Sequence, residues 1–408
     1  MNNITRRQLL IAGTTVALPV GLGCGGRLES LEGNVGAEVP PENAPHGSSP
    51  GVAAGPPRDP RPADAGSDDA ADAVDASTVD SADGSVATQL SIPGLVVEVA
   101  HPGSVVSGKV QAGEVRPIVM RGMTELTGTT NERAAWRALF SADDVVALKV
   151  NPFGWPTYYS RPETLIEIIR GLNLAGIPNG NVIIYDRYSD YLAQVGYAAL
   201  LPSGIRFASA VLTTAAQTSL EGCDPATFVE FSQVDTGLDP SVAQNRRSYL
   251  CDVVANQVTK VINVPVLKSH WTAGVTCALK NMTYGLVNNT ARTHAATNWT
   301  KDFAPAVASL AALRKKVVLH VADLLVACAN NGPDPGGPSF DYQSLAFATD
   351  PVALDRVCWK ILDEQRAKMG LGPVASMPGT EPEYILNCGA AVLGVSDLTA
   401  IDHRRLSV

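Results

Sequence analysis

The chain has 408 residues, with 31 Lys and Arg against 40 Asp and Glu and a formal net charge of −9. Residues 25–88 hold 12 acids and 3 bases, a net −9, and residues 1–24 add +2, which leaves only −2 for residues 89–408. The acidity is therefore a property of one segment, and the rest has no basic face of the kind that nucleic acid requires, so that partner class is excluded.

Residues 1–8 carry Arg6 and Arg7 and no acid, and the apolar residues 9–23 are too short to span a bilayer comfortably. Thr5-Arg6-Arg7-Gln8-Leu9-Leu10 resembles a twin-arginine export signal, with an ordinary secretory signal as the alternative. Gly21-Leu22-Gly23-Cys24 resembles a bacterial lipoprotein cleavage box, which makes Cys24 the expected lipidated N-terminus. Residues 25–88 are mostly Ala, Asp, Ser, Pro and Gly and cannot bury enough apolar surface to offset ordering entropy. They are expected to form a disordered linker, extended by repulsion among Asp64, Asp68, Asp69, Asp72, Asp75, Asp80 and Asp83. The combined expectation is an exported protein of the periplasm or cell envelope, attached to the membrane through a lipid and held away from it by a tether.

Residues 89–408 are long enough for one large α/β domain or two joined lobes. A β-branched run over residues 145–150 predicts a strand ending at Lys149-Val-Asn151. Ser160-Arg-Pro-Glu163 reads as a capping box opening a helix that buries Leu165, Ile166, Ile168 and Ile169. Residues 182–185 predict a second strand, ending at Asp186, and residues 191–200 a helical segment. Residues 260–264 predict a third strand, followed by a helix over 273–286 and another over 304–313. A strand over 316–321 ends at Asp323, a short one covers 344–348, and a long helix over 351–369 starts at Asp350. This alternation predicts an α/β fold with a mainly parallel sheet flanked by helices, preceded by the disordered tether.

In such sheets ligands bind where strands end and helices begin. Lys149, Asn151, Lys268, His270, Thr276, Lys280 and Asn281 all fall at such places. An edge lysine with its stem on the sheet and its ammonium in water is the ordinary alternative for each lysine. Thr276 and Lys280, four apart, are expected on one helix face. A buried Lys280 needs an anionic partner or a lowered pKa. Asp323, Asp350 and Asp355 supply the acidic side. Asp350 before Pro351 has the form of a helix N-cap, and Asp355, among Leu354 and Val357, is expected to pair with a lysine or a metal. The turn-rich stretch Asn330-Asn-Gly-Pro-Asp-Pro-Gly-Gly-Pro338 is expected to cover a site or to be a plain surface connection. His294, His320 and His403 read as structural.

Beyond Cys24, the six cysteines Cys223, Cys251, Cys277, Cys328, Cys358 and Cys388 show no pair two residues apart, so zinc-ribbon and iron–sulfur cluster patterns are absent. No dinucleotide fingerprint, Walker loop, nucleophile elbow or zincin helix is present either.

Four pieces, Lys149-Val-Asn151, Asn263-Val-Pro-Val-Leu-Lys-Ser-His270, Gly274-Val-Thr-Cys-Ala-Leu-Lys-Asn281 and Asp350-Pro-Val-Ala-Leu-Asp355, resemble a bacterial and archaeal family known as domain of unknown function 362. The resemblance runs through most of residues 93–405 and implies an α/β domain without implying a reaction. Some relatives carry an appended ferredoxin-like domain, for which this chain lacks the cysteine runs. Three functions stay open. The first is an enzyme on an anionic small molecule, with Lys268 and Lys280 binding it, His270 moving protons, and Asn151 and Asn281 orienting it. The second is a divalent-metal site built from Asp323, Asp350, Asp355 and His270. The third is a non-catalytic solute- or partner-binding module on a membrane-anchored stalk.

Overall fold

The computed structural model describes residues 90–211, 213, 217–294, 299–376 and 379–408. The expected export segment, Cys24 and the expected linker lie outside the described residues. Five parallel strands form the spine of an 11-stranded sheet, in the spatial order Val317–Cys328, Lys260–Asn263, Val146–Lys149, Val182–Tyr185, Arg206–Ala208. Ser344–Ala348 runs antiparallel beside the first of these. Leu95–Ala100 follows, antiparallel again, and Asp402–Ser407 closes that edge in parallel. The fold is thus α/β with a mixed, mostly parallel sheet covered by helices.

The central strands are mostly apolar because both of their faces are buried. Val146, Leu148, Val182 and Ile184 point into one core with Ile118, Met123, Leu165 and Ile168 from the helices Ala112–Thr127 and Pro162–Ala175. Their neighbours Ala147, Ile183 and Tyr185 point into the opposite core with Met282, Tyr284 and Phe303. The alternation of side chains across a strand makes these two cores from single runs. Helix and helix approach closely at Gly171, where a Cβ would lie 1.9 Å from the buried Trp136 ring.

Several local expectations are corrected. Ser160 does not cap the Pro162–Ala175 helix, because it lies one residue before the N-cap, Arg161. Its hydroxyl instead accepts from the Asn151 backbone N–H and donates to the Val264 carbonyl, both at 2.7 Å, pinning two strand ends together. The helix expected over 273–286 is also shorter. Val266–His270 and Gly274–Thr276 form an antiparallel hairpin, and the helix is Ala278–Gly285. Gly274 enforces this: its φ is +70°, and a Cβ there would lie 2.0 Å from the Thr380 carbonyl. Thr276 consequently faces Lys268 across the hairpin and is no helical neighbour of Lys280. The expected helix over 304–313 is two helices, Thr300–Ala308 and Ala311–Lys316, and the following strand extends to Cys328.

Among the described residues no helix is long and apolar enough to cross a membrane. The six described cysteines are free and buried, with the Cys277 and Cys358 sulfurs 3.5 Å apart.

Candidate functional site

Lys149 ends its strand, Asp186 follows the next one, and Lys268 and His270 lie on the hairpin beside them. With the helix Ala278–Gly285 they enclose a cavity of about 380 Å³ at the carboxyl ends of the parallel strands. All seven positions selected as lysine, histidine, asparagine or threonine candidates (Lys149, Asn151, Lys268, His270, Thr276, Lys280 and Asn281) line it. The volume suits a small organic ligand.

The three lysines have different surroundings. Lys149 is 1% exposed, and its Nζ donates to Asp186 Oδ2 at 2.7 Å, to Asn281 Oδ1 at 3.1 Å and to the Val150 carbonyl. Burial pulls its pKa below the usual lysine value while the Asp186 carboxylate pulls the other way, and three acceptors hold the ammonium in place. The Asn281 amide is spent on the same bracket, donating to the Lys149 carbonyl at 3.2 Å and to Asn263 Oδ1 at 2.7 Å.

Lys268 is fully buried, and among the described residues no carboxylate is in ion-pair contact with it; Asp186 and Asp334 act on it only from farther off. Its Nζ donates to Asn151 Oδ1 at 2.9 Å and to the Phe153 carbonyl, and lies over the rings of Phe153 and Tyr158. Burial lowers its pKa to about 7. Lys280, also lowered to about 7 by burial, faces two imidazoles: His270 Nε2 at 3.1 Å and His294 Nε2 at 3.2 Å. The Tyr284 ring lies 4.1 Å from its Nζ. Both histidines are held well below the usual imidazole pKa, first by burial and then by the Lys280 charge, so both are neutral. They stack with ring centroids 5.5 Å apart.

Two buried polar atoms on the wall, Thr276 Oγ1 and Arg187 Nε, have no hydrogen-bond partner among the described residues. The Arg187 guanidinium is aimed by bonds to the Thr290 hydroxyl at 2.7 Å and to the Val287 carbonyl at 3.2 Å. The Asn330–Pro338 stretch contributes Pro333 and Asp334 to the wall and is fastened by bonds through the Tyr158 hydroxyl.

Sequence reasoning missed His294, Arg187 and Tyr284 here. His294, read as structural, is a wall residue because the short 3-10 turn Ala291–His294 folds back over the helix that carries Lys280. Its only signal in the sequence is a histidine in a polar stretch. Arg187, following Asp186 at a strand end, was legible by the same rule that selected Lys149.

The metal set is not assembled. Among the described residues no three His, Cys, Asp or Glu side chains are grouped to hold a metal ion. Each aspartate serves backbone donors in a different place. Asp323 accepts from the Arg161 N–H and the Thr164 hydroxyl, both at 3.0 Å, supplying the cap that Ser160 does not. Asp350 caps the Pro351–Lys368 helix through the Val352 and Ala353 N–H groups, as its position before Pro351 predicts. Among the described residues Asp355 makes no ion pair with a lysine; it accepts from the N–H groups of Ala278 at 2.6 Å and Leu279 at 3.0 Å. A carboxylate at the start of a helix meets the positive end of its dipole, and this one fixes the helix that carries Lys280. Asp355→Ala is therefore expected to lower the unfolding free energy by about 2–3 kcal/mol, as two buried donors lose a charged acceptor. Urea denaturation checks this, and a loss below about 1 kcal/mol would show the cap to be dispensable.

Fold and cavity together define a class: an α/β protein with a lysine- and histidine-lined pocket at the carboxyl rim of its sheet. The chain belongs to the family described as Domain of unknown function (DUF362), whose model matches residues 146–360. That span contains the three lysines, His270, His294 and Asp355. The chain is also similar to a protein from Thermotoga maritima of known crystal structure, with 7% sequence identity and a TM-score of 0.36. The match covers 64% of this chain and 60% of that one, so the chain spans less than two thirds of that protein's length. No curated protein matches the sequence.

Proposed function

We propose that the cavity binds an anionic small molecule, with Lys268 and Lys280 as its cationic contacts and His270 as the group that moves protons. One observation carries this reading: two buried amines face one cavity and, among the described residues, neither makes an ion pair or hydrogen bond with a carboxylate, Asp186 and Asp334 acting on Lys268 only from farther off. A buried charge needs a partner, and an entering carboxylate or phosphate supplies it. Thr276 Oγ1 and Arg187 Nε add polar atoms that a ligand oxygen satisfies. Asn151 and Asn281 act one step back, by holding Lys268 and Lys149 in position.

A charge-assisted hydrogen bond contributes about 1.5–3 kcal/mol, so Lys268→Met is expected to weaken anion binding by roughly 10- to 100-fold. The measurement is thermal stabilisation of the whole protein by phosphate, citrate and pyruvate, compared between wild type and variant. Equal responses in both would sink the reading, as would no response to any small anion in the wild type.

The same proposal extends to location. An export signal over residues 1–24, a lipid on Cys24 and an extended acidic tether would place the cavity outside the cytoplasm, clear of the membrane surface. Cys24→Ser is expected to move the protein from the membrane to the soluble fraction of its host. Unchanged fractionation removes the lipid anchor from this account.

A further inference from the structure

The hydrogen bonds around His270 fix the protonation of Lys280. The backbone N–H of Thr272 donates to His270 Nδ1 at 3.1 Å, so Nδ1 presents a lone pair. The neutral ring then carries its proton on Nε2, the atom 3.1 Å from Lys280 Nζ. An ammonium at Nζ would face this N–H donor to donor. An unprotonated amine instead offers its lone pair to Nε2–H and has its own N–H free to donate to His294 Nε2 at 3.2 Å. The groups facing Nζ are His270 from the hairpin, His294 from the 3-10 turn and the Tyr284 ring on its own helix. Among the described residues no carboxylate pairs with it.

We propose that Lys280 is a nucleophile that forms an imine with the carbonyl carbon of a small oxo acid, whose carboxylate is held by Lys268. This deepens the anion-binding reading above and rests on it for the carboxylate contact, which Lys268 alone then makes: Lys280, a cationic contact in that reading, acts here as a neutral amine. The Nζ lone pair attacks the carbonyl carbon, forming the C–N bond and breaking the C–O π bond. The carbonyl oxygen takes the proton of His270 Nε2, the nitrogen gives one of its own to His294 Nε2, and that proton passes back to His270 Nε2, leaving a neutral carbinolamine and two neutral imidazoles. Its C–O bond then breaks, the hydroxyl leaving with a proton as water while the nitrogen loses its second proton. The sum is one amine and one carbonyl giving one imine and one water, with no change in oxidation state. The neighbouring imidazoles, both neutral, can exchange these protons. Burial depresses the pKa of Lys280 into the range where a lysine amine is nucleophilic near neutrality.

Full-length protein is incubated at neutral pH with pyruvate and cyanoborohydride, which reduces an imine to a stable amine, and the adduct is located by peptide mass mapping. Acetaldehyde, which has a carbonyl and no charge, is run in parallel. One reduced adduct on Lys280, ahead of the other lysines and absent from Lys280→Met, is the expected result. Lys268→Met is expected to slow labelling by pyruvate at least tenfold and leave acetaldehyde labelling unchanged. Labelling spread over surface lysines, or none at Lys280 with either compound, overturns the proposal. Because the adduct is mapped on wild-type protein, the outcome does not depend on a variant folding. Stabilisation by phosphate or citrate without any Lys280 adduct overturns the imine and leaves anion binding standing. A Lys280 adduct indifferent to Lys268 leaves the nucleophile standing and removes the carboxylate contact.

Discussion

Asp186→Asn is expected to lower the unfolding free energy by about 3–5 kcal/mol, because it strands a buried ammonium. Lys149 Nζ and Asp186 Oδ2 are 2.7 Å apart, with the two side chains 2% and 9% exposed. The remaining acceptors of Lys149, the Asn281 amide oxygen and the Val150 carbonyl, are neutral and do not replace a carboxylate. Gly285 packs against the lysine stem, so closely that a Cβ on it would sit 2.0 Å from Lys149 Cε. That contact is the reason for a glycine at this point of the helix. The double variant Lys149→Met/Asp186→Leu is expected to recover most of the loss, since a buried pair and its apolar replacement are often close in stability. Urea denaturation of wild type, single and double variants tests both statements. A double variant as unstable as the single would show that the loss comes from packing and not from charge.

Lys280→Met is expected to have the opposite sign, and the contrast tests the electrostatic account. The unfolded lysine titrates near 10.4 and the folded one at about 7. Between those values the unfolded chain binds more protons than the folded one, so wild-type stability rises with pH relative to the variant. The slope is up to about 1.4 kcal/mol per pH unit. Below the folded pKa the penalty is present in full; as pH rises through the unfolded value it vanishes. Methionine fills a similar volume without the amine. The variant is therefore expected to be more stable than wild type by about 4 kcal/mol near pH 7, shrinking to about 1–2 kcal/mol near pH 9. Chemical denaturation across that range measures the difference directly. A stability difference that stays constant from pH 7 to 9 would mean that Lys280 is not held in a lowered state.

Two lysines in one cavity thus carry predictions of opposite sign, and the deciding feature is Asp186. The sequence placed Lys149, Lys268 and Lys280 at strand ends and near a helix start, which was enough to locate them in one cavity. It did not separate them, because Asp186 stands 37 positions from Lys149 and pairs with it only through adjacent parallel strands. Asp355 is the reverse case. Its burial was legible from Leu354 and Val357, yet its partners are the Ala278 and Leu279 N–H groups, 77 and 76 positions away. A backbone donor leaves no mark in the residue types that carry it, so the expected partner was a cation.

The run of strands over residues 145–150, 182–185, 260–264 and 344–348 was readable because short, mostly apolar stretches, β-branched in the first three, record burial on both faces. The long helix from Asp350 was readable because its Asp-Pro start is local chemistry. The strands Leu95–Ala100 and Asp402–Ser407, at one edge of the sheet, were not anticipated. The outermost exposes most of its side chains, and partners some 300 residues apart define both.

The amino-acid order alone determined the alternation of strands and helices, the acidic segment before them, and which side chains stand at strand ends, because each is set by neighbours along the chain. Only the tertiary structure decided which lysine has a carboxylate in ion-pair contact, which backbone N–H faces His270 Nδ1, and that Asp355 accepts from backbone N–H groups at a helix start. These contacts are fixed by strand pairing between distant segments and by the hairpin turn at Gly274.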